Sequence, residues 1–112
     1  MIDIREYQDA GGRSPYRQWF QGLDSEAARK VTKAIYRLGL GNLSNTKSVG
    51  GGLFEFRINF GPGYRLYFGR EGQQVVILLG GGTKQRQQQD IARALERWSD
   101  YRRRKQQRNQ GE

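Results

Sequence analysis

From Leu53 the chain alternates apolar and polar residues. Phe54, Phe56, Ile58 and Phe60 are apolar, as are Tyr64, Leu66 and Phe68, with a Gly61-Pro62-Gly63 break between the two sets. A period of two marks strands with one buried face. For both sets to share that face, paired positions must sum to an even number, which requires an odd connection. A three-residue connection through Gly61, Pro62 and Gly63 meets this condition and predicts Ile58 opposite Leu66 and Phe56 opposite Phe68. The other face then carries Glu55, Arg57 and Asn59 beside Arg65 and Tyr67. In that register Arg57 stands opposite Tyr67, with Arg65 its diagonal neighbour at about 7–8 Å. A third strand, "QVVILLGG" from Gln74, is apolar on both faces and should be interior.

Upstream the period changes. "MIDIREY" reads as a short strand. Ser14 and Pro15 open a short helix as N-cap and first helical residue, and Tyr16, Trp19, Phe20 and Leu23 form one apolar stripe along it. That spacing predicts core packing ahead of a base-stacking platform. A second helix is expected from about Ser25 to Leu38, burying Ala27, Ala28, Val31, Ala34, Ile35 and Leu38. Arg29, Lys30, Lys33 and Arg37 fall mostly on its other side; they read first as a solvated face and second as a contact for phosphate or an acidic partner. "GLGNLSNTKSVGGG" reads as loop. A last helix is expected from about Gln87 to Tyr101, with Ile91, Ala94, Leu95 and Trp98 as its apolar stripe. Residues 102–112 carry charge without periodicity and read as a disordered basic tail. The pattern therefore predicts one α+β domain over residues 1–101. An N-terminal strand and a three-strand meander form a small antiparallel sheet, packed with two N-terminal helices and one C-terminal helix.

Composition narrows the chemistry. The 112 residues include twenty Lys and Arg against eleven Asp and Glu, a formal charge of +9. Such an excess calls for an anionic partner, nucleic acid first. There are no cysteines and no histidines, which excludes thiolate chemistry and any histidine base. The longest apolar run, Val75 to Leu79, is far short of a membrane span, and no leader pattern opens the chain, so a cytoplasmic location is expected. "GGGTK" lacks the order of a P-loop.

Arg57 and Arg65 are the candidate chemistry. Two guanidiniums on one sheet face can clamp a phosphodiester, since the fork matches phosphate oxygens and stays charged. A surface ion pair with Glu55 is the plainer reading. Neither arginine can serve as a base. Lys84 can if neighbouring arginines lower its pKa, with Glu55 and Tyr67 as weaker candidates. Lys47, Lys84 and Arg86 complete the expected RNA-binding set.

The element order, with "EFRINFGPGYRLYF" and "ILLGGGTKQRQQQDIARAL", resembles the RelE/ParE superfamily of toxin–antitoxin toxins over roughly Ile2 to Tyr101. Within it the chain is most similar to the phage-derived addiction module killer proteins and HigB-like toxins. The resemblance implies a toxin held in check by an antitoxin, a small helix-turn-helix protein encoded beside it. It also implies cutting of mRNA on the ribosome through the RNA's own 2′-hydroxyl, without metal or other cofactor. Arg65 matches the arginine that acts on the scissile phosphate, Arg57 a basic residue of the preceding strand, and Lys84 the lysine after the last strand. The chain departs from RelE itself at Ile91, where RelE has a tyrosine, and at Gln85, where it has an arginine beside the Arg86 of this chain. It departs also at Glu55, where RelE has a lysine. Two other readings keep the fold: a ParE-like inhibitor of DNA gyrase that performs no hydrolysis, and an inactive RNA- or protein-binding module.

Overall fold

The computed structural model describes residues 1–110. Its elements run β1 (Asp3–Glu6), α1 (Pro15–Gln21), α2 (Ser25–Gly39), β2 (Thr46–Gly50), β3 (Leu53–Ile58), β4 (Tyr64–Glu71), β5 (Val75–Thr83), a short 3-10 turn (Lys84–Arg86) and α3 (Gln87–Gln110). The five strands form one sheet in the order β1-β5-β4-β3-β2. The expected α+β class holds, with two corrections to the sheet. β1 pairs parallel with β5, so the sheet is mixed rather than antiparallel. The stretch read as loop contributes β2, which pairs with β3 and bulges between Ser48 and Gly50. β2 is a polar edge strand held by backbone pairing, so it carries no apolar alternation to read.

Both N-terminal helices start where their caps direct. The Ser14 side chain accepts from the Arg17 N–H at 3.0 Å, with Pro15 at the first helical position. The Asp24 carboxylate accepts from the Ala27 N–H at 2.8 Å. Each satisfies a donor that the first turn leaves without a helical partner.

The sheet separates two cores. Even-numbered Phe56, Ile58, Leu66 and Phe68 pack with Val76 and Leu78 under α1 and α2, against Tyr16, Val31, Ala34 and Leu38. Leu53, Tyr67, Ile77 and Leu79 pack on the other side with Ala94 and Trp98 of α3. β5 supplies alternate residues to both cores, as its unbroken apolar run requires. The aromatic stripe of α1 is core: Tyr16 is buried, and Trp19, Phe20 and Leu23 pack against the same cluster.

The β3–β4 register keeps the expected parity but is displaced by two residues. Ile58 lies opposite Tyr64, Phe56 opposite Leu66 and Arg57 opposite Arg65, so residues 59–63 form the connection. Any odd connection preserves the faces, and parity alone therefore cannot choose between three residues and five.

The last helix passes Tyr101 and continues to Gln110, where a disordered tail was expected; residues 111–112 lie outside the described residues. Its extension is tied to distant partners. The Tyr7 hydroxyl donates to Asp100 at 2.6 Å, and Asp100 also pairs with Arg103 and Arg104 one turn on. Tyr101 donates to Glu71 at 2.6 Å, and Lys105 pairs with the same carboxylate. Hydrogen bonding from Tyr7 holds the Asp100 carboxyl below its ordinary pKa, with Arg104 and Arg103 adding to the effect. A carboxylate depressed in the fold stabilises it above the unfolded pKa, about 3.9, and that contribution disappears as pH falls through the lowered folded value. Acidification through about pH 4 is expected to fray residues 101–108 first, seen as falling amide-exchange protection, and Asp100→Asn should impose the same loss at neutral pH. Equal protection of this segment at pH 7 and pH 3 would refute the tether.

Candidate functional site

β3 and β4 place the candidate residues in two rows. Lys47 pairs with Glu55, and Glu55 with Tyr67; one row further along, Arg57 pairs with Arg65. Parity assigns both rows to the α3 side of the sheet, where Leu53 and Tyr67 pack. Directly opposed residues stand about 4.5–5.5 Å apart between Cβ atoms, so the two arginines are closer than the sequence register implied.

Their environments differ sharply. Arg57 is exposed and makes no salt bridge among the described residues. Where β3 ends, it also lines a groove of about 240 Å³ with Lys30, Lys33 and Arg37 of α2, which packs on the other face of the sheet. No acidic residue lines that groove. The Arg65 side chain is only 8% exposed, and its Nε lies 3.6 Å from Oε1 of a fully buried Glu55. The free-standing clamp is therefore corrected: one guanidinium is exposed and the other is half of an internal ion pair.

That pair is incompletely satisfied. Gln87, at the start of α3, donates to the second Glu55 oxygen at 2.6 Å, and Arg65 Nη1 reaches the Tyr64 carbonyl at 3.3 Å. Glu55 Oε1, Arg65 Nε and the Tyr67 hydroxyl have no hydrogen-bond partner. Burial drives the Tyr67 pKa upward, and the Glu55 charge adds to it, so the phenol resists giving up its proton. Glu55 and Tyr67 are both 0% exposed and do not reach solvent. Lys84 is exposed; its N–H donates to the Gly63 carbonyl at 2.8 Å, and its side chain starts beside the glycine that Arg65 Nη1 also approaches. Arg57, Arg65, Lys47 and Lys84 are thus gathered on one side of the sheet. Arg86 belongs elsewhere, in a cavity with Asp90, Arg93 and Arg97.

A family model described as phage-derived protein Gp49-like matches residues 18–99. The chain belongs to this family. An uncharacterized protein of Haemophilus influenzae is 41% identical over 80 residues, covering 70% of this chain and 81% of the relative. The Gp49-like family is of the phage-derived, addiction-module kind, which meets the coarser half of the resemblance. Its matched span runs from α1 to Ser99 and contains every candidate residue; β1 and the tethered extension of α3 lie outside it.

Three features of this Gp49-like chain were missed from sequence. The grouping of Lys30, Lys33 and Arg37 with Arg57 around one groove depends on how α2 meets the end of β3, which no local pattern reveals. Gln87 as the partner of Glu55 is likewise a tertiary fact. The stripe Asp90, Arg93 and Arg97, at i, i+3 and i+7, was legible as one face of α3. Among the described residues no group of His, Cys, Asp and Glu is placed to hold a metal, and no helix is long and apolar enough to cross a membrane.

Proposed function

We propose that this Gp49-like protein is the toxin of a toxin–antitoxin pair and cuts mRNA on the ribosome. The observation that supports the reading is the cross-strand pair of Arg57 and Arg65 beside Lys84. Guanidinium forks match phosphate oxygens in geometry and in sign. In the proposed reaction the RNA 2′-oxygen attacks the adjacent phosphorus, and the bond to the 5′-oxygen breaks. The products are a 2′,3′-cyclic phosphate and a 5′-hydroxyl. Arg57 and Arg65 offset the charge that builds on the phosphoryl oxygens. Lys84 is assigned the proton transfer, because Glu55 and Tyr67 are sealed from solvent. The antitoxin, a small helix-turn-helix protein encoded beside the toxin, would neutralise it.

Arg57 and Lys84 are the informative positions, since both are exposed and neither anchors the core. Arg57→Ala and Lys84→Ala should keep the wild-type melting temperature and lower cleavage about 10²–10³-fold. Mapping RNA 5′ ends in cells induced for each variant checks this: codon-phased ends should appear with wild type and fade with both. The buried Glu55–Arg65 pair favours a second reading, a ParE-like gyrase inhibitor in which those residues serve only the fold. Intact mRNA together with gyrase-dependent DNA breaks would select it.

A further inference from the structure

A cavity of about 400 Å³ lies between α1, the end of β5 and the first half of α3, away from the Arg57 groove. Asp90, Arg93 and Arg97 line it from one stripe of α3, with Arg86 from the 3-10 turn before it. The sheet fits these side chains by omitting its own. A Cβ at Gly82 would overlap the Asp90 carboxylate, and one at Gly81 would overlap the Trp19 ring. The "GGG" stretch thus admits the protein's own side chains close to the backbone.

None of the three arginines makes a salt bridge among the described residues, although Asp90 stands in their midst. Arg97 donates to the Leu79 carbonyl at 2.9 Å, and Arg86 reaches only Gln89, at 3.4 Å. The fully buried Tyr67 also lines the cavity, and its hydroxyl has no partner. Burial pushes the Asp90 carboxyl upward against the pull of Arg86, Arg93 and Arg97. It pushes Arg97 downward, and Arg93 adds to that. Like charges gathered around one cavity leave it short of an anion.

The charge balance selects the anion. Three guanidiniums face one carboxylate, a formal excess of two positive charges. A phosphate monoester carries about −1.5 to −2 at neutral pH, whereas a diester or a carboxylate carries one charge. Guanidinium forks match phosphate oxygens in geometry as well as in sign. The volume also exceeds that of a bare ion and lies within the range of small-molecule sites. We propose that this cavity, which adjoins the Arg65 row through Tyr67 and Gly82, binds a dianionic phosphate group, as free phosphate or as a phosphate monoester. The proposal does not depend on RNA cleavage.

Arg93 is the residue to change, being exposed and without a hydrogen bond that the fold needs. Inorganic phosphate, AMP, adenosine and the dinucleotide ApA would be titrated calorimetrically at constant ionic strength into wild type and Arg93→Ala, with melting temperatures confirming both folds. AMP or phosphate should bind wild type and lose at least tenfold in affinity with Arg93→Ala. Adenosine should not bind, and ApA, which has only a diester, should bind at least tenfold more weakly than AMP. Asp90→Asn should bind AMP several-fold more tightly, because it removes the competing negative charge. AMP stronger than phosphate identifies a monoester on a larger molecule; equal affinities identify the free ion. The proposal is overturned if neither AMP nor phosphate binds, if Arg93→Ala binds as wild type does, or if ApA equals AMP. Binding of an acidic peptide in preference to both would also overturn it and make the cavity a polypeptide site.

Discussion

Arg65→Ala is expected to destabilise the protein by about 3–5 kcal/mol, the cost typical of removing one partner from a buried ion pair. Glu55 would keep its charge in a fully buried position, with Gln87 alone bonded to it. Arg57, directly across from Arg65, is exposed and pairs with no carboxylate among the described residues. Denaturant midpoints measure the effect, and the design includes a second variant. Replacing both members, Glu55→Leu with Arg65→Met, should recover most of the loss, because an apolar pair of similar volume is often as stable as a buried ionic one. An Arg65→Ala midpoint equal to wild type would show that the pair carries no desolvated charge. The consequence for function is direct. Loss of growth inhibition in Arg65→Ala reports the fold as well as the chemistry, whereas Arg57→Ala and Lys84→Ala report the chemistry.

Gly69→Ala is expected to cost about 1–3 kcal/mol or more, since overpacking a filled core forces side chains or backbone to shift. Gly69 is buried in β4 between Leu53 of β3 and Ile77 of β5. An added Cβ would stand 2.5 Å from two carbons of the Trp98 ring. The strand is paired on both sides and cannot retreat, and Trp98 is stacked on Tyr101 at a centroid separation of 5.6 Å. Relief must therefore come from α3 moving off the sheet. Trp98→Ala should cost about 3–5 kcal/mol by the opposite route, a cavity. Because the two positions share one contact, the double variant should be less damaged than the sum of the singles. Denaturant titrations of the four proteins test this; additive losses would mean that Trp98 does not rest on Gly69.

The elements that were legible from sequence are those with a local hydrophobic pattern. The cap at Ser14 and the stripes of α1 and α2 follow local patterns, and so do the faces of β3 and β4 and the interior place of β5. Arg57 and Arg65 fall on one side of the sheet because parity survives any odd connection, whereas Lys47 joins them through the pairing of β2 with β3. The exact register did not follow, since a three-residue turn and a five-residue one satisfy the same rule. β2 and the extension of α3 were invisible for a different reason. The first is held by backbone pairing, and the second by contacts between residues such as Tyr7 and Asp100, ninety-three positions apart. The fate of Arg65 was similarly hidden. Whether an arginine beside a glutamate is exposed or sealed depends on what covers it, and here the start of α3 provides the cover through Gln87.

The central claim is that the basic face of the sheet promotes attack by an RNA 2′-hydroxyl. Its most direct test uses purified protein with ribosomes carrying either an all-ribose message or the same message with one 2′-deoxy nucleotide at the cut site. The account requires cleavage of the first, with a 5′-hydroxyl on the downstream fragment, and survival of the second. Equal cleavage of both messages, or none of either alongside inhibition of gyrase supercoiling, would contradict it.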